Sequence, residues 1–140
     1  MKILHILSYL LLFSTSLYAQ DIFGKWVTID DKTGKQKSIV HIYEENGKVY
    51  GKITELINPK KKNSICTECS GENKDKPIVG MVIIEGLTQD DDVYDDGTIL
   101  NPSNGKVYDC RLKLQDDPDR LQVRGYVAFF YKTQYWERLK

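Results

Sequence analysis

The chain has 140 residues, with 20 basic and 20 acidic side chains, 29% charged and 41% hydrophobic. This length suits one domain and is short for two. The balanced charge argues against nucleic acid or an anionic membrane surface as the main partner, because phosphate binding needs a concentrated positive field.

Residues 1–19 read as an export signal. Lys2 supplies a short positive start, Ile3 to Phe13 is an almost unbroken apolar run, and Leu17-Tyr18-Ala19 places a small residue for cleavage before Gln20. The apolar run is about half of the ~20 residues a membrane span needs, and no cysteine follows the cleavage point to accept a lipid. The expected product is a single domain, residues 20–140, in the periplasm or outside the cell, with no second apolar stretch to anchor it.

The rest of the chain reads as strands separated by turns. The expected runs are 23–30, 38–44, 48–57, 78–87, 93–100, 106–115, 120–130 and 133–139. Asn46-Gly47 between the second and third is a strong hairpin signal, since both residues tolerate the positive φ of a tight turn. All four prolines fall between runs, where a missing N–H breaks no ladder. In the sixth run Tyr108, Cys110, Leu112 and Leu114 alternate with Asp109, Arg111 and Lys113, giving one buried and one wet face. Eight sequential antiparallel strands in a domain of this size favour an all-β, closed up-and-down barrel, because closure removes exposed strand edges. An eight-stranded barrel either fills with side chains or holds one small ligand.

Two resemblances bear on that choice. Gly24-Lys25-Trp26 on the first strand resembles the Gly-X-Trp signature of lipocalins, in which the tryptophan packs across the closed end of the barrel near a late-strand arginine. Arg138 or Arg124 would take that part here through a cation–π contact. More broadly, residues 23–139 are similar to a bacterial domain-of-unknown-function family, number two-one-four-seven, of small exported proteins. The similarity lies in Gly24-Lys25-Trp26, Pro77-Ile78-Val79-Gly80-Met81, Gly97-Thr98-Ile99-Leu100-Asn101-Pro102, Gly105-Lys106-Val107-Tyr108, Val123-Arg124-Gly125-Tyr126 and Thr133-Gln134-Tyr135-Trp136. It implies a lipocalin-like barrel in the cell envelope and no established activity, so it supplies no catalytic residues.

The chemistry-bearing residues have plain alternatives. Cys66, Cys69 and Cys110 are the only cysteines, and an exported chain is expected to form one disulfide and leave one thiol. Three pairings are open. A thiol-based redox enzyme would need a stabilised thiolate, and Cys66-Thr67-Glu68-Cys69 lacks the strand–helix–strand frame of such enzymes. Cys66, Cys69, Cys110 and His41 match the ligand types of a zinc site, but an oxidising compartment favours disulfides over metal thiolates. His41 sits mid-strand, where a half-buried structural histidine is expected. The run Asp90-Asp91-Asp92-Val93-Tyr94-Asp95-Asp96-Gly97 is acidic enough for calcium, yet Tyr94 stands at a ligand position and no glutamate closes the loop. No cofactor and no metal is therefore expected.

The connection 58–77 carries five lysines and three acids, and is long enough to be a lid over the barrel mouth or a surface insert tied by Cys66 and Cys69. The expectation is a carrier for a small apolar molecule, with Tyr43, Tyr50, Tyr108, Tyr126 and Trp136 as candidate lining residues. The competing readings are a solid barrel that contacts an envelope protein, and the thiol enzyme.

Overall fold

The computed structural model describes residues 21–140; the predicted leader, 1–19, lies outside the described residues. Eight strands run in order, β1 (Gly24–Ile29), β2 (Gln36–Glu45), β3 (Lys48–Leu56), β4 (Val82–Asp90), β5 (Val93–Asn101), β6 (Lys106–Leu114), β7 (Arg120–Val127) and β8 (Phe130–Arg138). Each pairs antiparallel with the next, and β8 returns to β1 through Trp26 opposite Arg138 and Val27 opposite Glu137. The sheet is thus closed, as the alternation and turn spacing predict. Among the described residues there is no α-helix, and no helix is long and apolar enough to cross a membrane.

Alternation sets the inside. Val40 and Ile42 on β2, Val49 and Ile53 on β3, Cys110 and Leu112 on β6, and Leu121 and Val123 on β7 are all buried. They share the inward parity of a pleated strand. Asn46 and Gly47 take φ of 52° and 78°, the positive values a primed hairpin turn requires. Four strand ends differ from the sequence reading by three residues or more: β4 starts at Val82 and ends at Asp90, β7 ends at Val127 and β8 starts at Phe130. Residues 78–81 form a turn rather than the start of β4: Gly80 has φ 95° and Met81 N–H donates to the Ile78 carbonyl at 3.1 Å. The seventh run stops at Val127, because Ala128 adopts φ 52° and turns the chain into β8 at Phe130.

The connection between β3 and β4 is folded. Cys66 and Cys69 form a disulfide, Ile65 bridges Pro77, and Cys66 N–H donates to Lys76 O at 2.8 Å. The flap rests on the β5–β6 turn. A Cβ on Gly105 would stand 1.9 Å from the Glu68 carbonyl oxygen, so only glycine permits this approach. The cysteines are both buried and belong to the core. Cross-linking so short a loop restricts the unfolded chain modestly, and Cys66→Ala with Cys69→Ala is expected to cost about 2 kcal/mol, read as a lower urea midpoint at unchanged slope.

Candidate functional site

Successive turns place the two barrel ends in different chemical states. At one end lie the N-terminal segment, the β2–β3, β4–β5 and β6–β7 turns and the C-terminus. Here Trp26 is completely buried and its Nε1–H donates to the Ile22 carbonyl at 2.8 Å. The Arg138 guanidinium lies 4.4 Å from the Trp26 ring centroid. Its nitrogens also donate to the carbonyls of Phe23, Asp21 and Pro118 at 3.0, 2.8 and 3.0 Å. Asp119 pairs with Arg138 at 3.4 Å. One side chain therefore ties β8 to the N-terminal segment and the β6–β7 turn. Gly24, with φ 118°, stands beside it, its Cβ position 3.6 Å from an Arg138 nitrogen.

Of the two arginines considered for closure, Arg138 takes the place. Arg124 lies on the outer face of β7, where Nε–H donates to Thr133 Oγ1 at 2.9 Å and the guanidinium covers the Tyr131 ring at 4.6 Å. Its neighbours Leu121, Val123 and Gly125 hold the inward parity, which leaves Arg124 the outward one.

The other end is hollow. A cavity of about 790 Å³ opens between the β1–β2, β3–β4, β5–β6 and β7–β8 connections. Its wall is apolar, formed by Ile53, Ile83, Ile99, Leu100, Val123 and Trp136. The largest fully buried side chains, including Trp26, Ile42, Leu87, Leu112 and Leu121, fill the closed half and contribute nothing to this lining. The barrel is solid below and hollow above.

Polar side chains also line the cavity, many of them from the connections at its rim, and several are paired. Thr28 and Ser38 share a buried hydrogen bond of 2.7 Å between their hydroxyls. Trp136 Nε1–H donates to Gln134 Oε1 at 2.9 Å, and Gln134 Nε2–H donates to Asp31 at 2.7 Å. Asp31 also pairs with Lys132 at 2.7 Å, so a polar chain runs from the Trp136 ring to the rim. The Tyr108 hydroxyl accepts from Asn104 at 3.1 Å on the opposite side of the mouth. Asp30, in the β1–β2 turn, accepts from the N–H groups of Thr33 and Lys32, which hold its carboxyl below the usual carboxylate value.

Of the five aromatics proposed for the lining, Tyr108 and Trp136 face the cavity. Tyr43 and Tyr50 sit opposite each other on the outer faces of β2 and β3, their ring centroids 5.9 Å apart. Tyr126 is on the outer face of β7 against Tyr131. The three outer tyrosines share strand parity with His41, Lys52 and Arg124, a sign in the sequence that they face water. Residues missed from the sequence are the aliphatic wall and the aromatic tip Phe129-Phe130-Tyr131, of which Phe130 and Tyr131 border the mouth. Three consecutive aromatics cannot all face a core from one strand, and that broken alternation is the signal that could have marked a turn.

The remaining candidates are dispersed. His41 lies on the outside of β2 near Tyr43, at 5.6 Å between centroids. Among the described residues no three His, Cys, Asp or Glu side chains converge as a metal site. The acidic run forms the β4–β5 hairpin at the closed end, where Asp92 pairs with Lys113 at 3.7 Å. No cysteine lines the cavity. Cys110 is a free thiol that burial pushes up to about 12. A thiol that is neutral and enclosed is a poor nucleophile: an aromatic disulfide reagent at pH 8 should titrate no thiol in the folded protein and one after denaturation. Because the folded thiol holds its proton more tightly than the unfolded one, stability should fall as pH climbs from about 9 towards 12.

A closed eight-stranded antiparallel barrel with a tryptophan–arginine plug at one end and a one-ended cavity at the other defines a lipocalin-like barrel. Residues 24–138 match the family described as uncharacterized protein conserved in bacteria (DUF2147), and the chain belongs to it. Among solved structures it is similar to protein HP1028 from the human pathogen Helicobacter pylori, described as belonging to the lipocalin family. The TM-score is 0.77 at 21% identity, over 87% of this chain and 85% of that one. No curated protein matches the chain significantly in sequence.

Proposed function

We propose that this protein is an exported carrier whose cavity takes up a small, predominantly apolar molecule. The observation that carries this reading is the cavity of about 790 Å³, walled by aliphatic side chains and Trp136. It lies within the roughly 300–1,000 Å³ typical of small-molecule sites, which are mostly apolar with a few placed polar groups. Thr28 with Ser38, and Tyr108 with Asn104, are those groups. They offer a polar end of the ligand two fixed anchoring points. The Cys66–Cys69 disulfide and the leader-like residues 1–19 support export.

Native mass spectrometry of the protein purified without denaturation tests both parts. The expected polypeptide mass is that of residues 20–140 less two hydrogens. An additional mass that disappears on denaturation, or saturable uptake of an apolar fluorescent probe by the bare protein, is the expected result. A bare mass together with no probe uptake would overturn the carrier reading and leave the envelope-protein contact as the better account.

A further inference from the structure

We infer that the open end of the barrel docks on a lipid bilayer containing anionic lipid, with the β7–β8 tip entering the interface. Phe129 is 99% exposed and Phe130 80%, while Tyr131, 62% exposed, is covered on one side by Arg124 and Tyr126. A narrow hairpin tip of this kind lacks the roughly 800 Å² per partner of a standard protein interface. It does suit the headgroup region, where aromatic side chains are enriched.

Net neutrality counts against an anionic surface, but the fold separates the charges. The open-end segments 30–37, 57–81, 102–106 and 128–132 hold ten lysines against five acids, whereas the closed-end turns 44–48, 90–92 and 115–120 hold eight acids against two bases. Three of the open-end acids are already engaged, Asp30 by its own turn, Asp31 by Lys132 and Gln134, and Asp75 by Lys74, and the ion pairs occupy two of the ten lysines. Lys35, Lys37, Lys61 and Lys132 border the cavity mouth itself. Basic residues near an anionic membrane surface attract it, and apolar side chains beside them supply the insertion. The orientation points the cavity mouth at the lipid and the acidic end away. The inference concerns the surface around the mouth and does not depend on whether the cavity is occupied.

The test is co-sedimentation of the protein with phosphatidylcholine vesicles, with and without about a third phosphatidylglycerol, at low salt and at 0.5 M salt, where the screening length is only about 4 Å. Binding is expected only to the anionic vesicles, falling at least tenfold in high salt and at least tenfold for Phe129→Ser with Phe130→Ser. Because both rings are exposed, that variant should keep the native melting temperature. Lys60→Glu with Lys61→Glu and Lys62→Glu should weaken anionic binding independently of the aromatic tip. No binding to either vesicle, or equal binding by the native and double-serine proteins, would overturn the proposal. So would a dimer in sedimentation velocity that the double-serine change abolishes while vesicles bind nothing. Probe uptake measured without vesicles should survive Phe129→Ser alone and Lys60→Glu with Lys62→Glu, none of which lines the cavity, so a failure of docking is distinguishable from a failure of the carrier reading.

Discussion

Trp26→Ala is expected to destabilise the protein by about 3–5 kcal/mol, the usual range for removing a large buried aromatic. That is a large part of the roughly 5–15 kcal/mol that holds a typical domain folded. The upper end is expected because several losses coincide. The indole is completely buried, so its removal leaves a cavity in the solid half of the barrel. The Ile22 carbonyl loses its donor at 2.8 Å, and the Arg138 guanidinium loses the ring it covers. Arg138 would then be a largely enclosed cation whose Nε already has no aligned hydrogen-bond partner. Urea unfolding followed by far-ultraviolet circular dichroism measures the cost; a loss under about 1.5 kcal/mol would mean that the plug contributes little beyond ordinary packing. Arg138→Lys separates charge from geometry. Lysine keeps the positive charge but cannot reproduce the planar fork that reaches three carbonyls, so it too should destabilise, by less than the tryptophan change.

The same plug shows what the sequence discloses and what it withholds. Gly24-Lys25-Trp26 marked the plug, and the alternation of Tyr108 to Leu114 marked a half-buried strand, because both are local patterns with a period of two. Choosing between Arg138 and Arg124 required the pairing of β8 with β1, a contact between the two ends of the chain. The outward placement of Tyr43, Tyr50 and Tyr126 was legible in parity, since each alternates with the residues that build the core. Ring size drew attention to them, whereas facing direction decides. The start of β4 was illegible for another reason. Ile78, Val79 and Met81 read as strand by composition, but the flap pulls Ile78 N–H to the Ser64 carbonyl at 3.0 Å and so holds this segment out of the ladder. Whether the interior is hollow depends on how side chains from eight strands add up across a shared space, and no single window contains that sum.

Gly125→Phe should abolish ligand uptake with little damage to the fold. Gly125 lines the cavity from β7, and a Cβ built there would meet Tyr108 Cβ at 3.4 Å and Ile99 Cγ2 at 3.8 Å, ordinary contacts for a side chain. Its backbone also lies outside the left-handed region, so a larger residue brings no φ penalty. A phenyl ring at that point projects between Tyr108 and Ile99 into the space that the ligand would occupy. Probe uptake should fall at least tenfold, a change equivalent to about 1.4 kcal/mol or more. Tyr126→Ala, one residue along on the outer face, should leave uptake unchanged, and Tyr43→Ala should do the same from the far side of the barrel. Circular dichroism and the unfolding midpoint establish that each variant is folded. If the two tyrosine changes abolish uptake and the phenylalanine does not, the binding surface is the outer aromatic face, and the cavity is not the site. The opposite result would fix the ligand inside the barrel, against Tyr108 and Ile99.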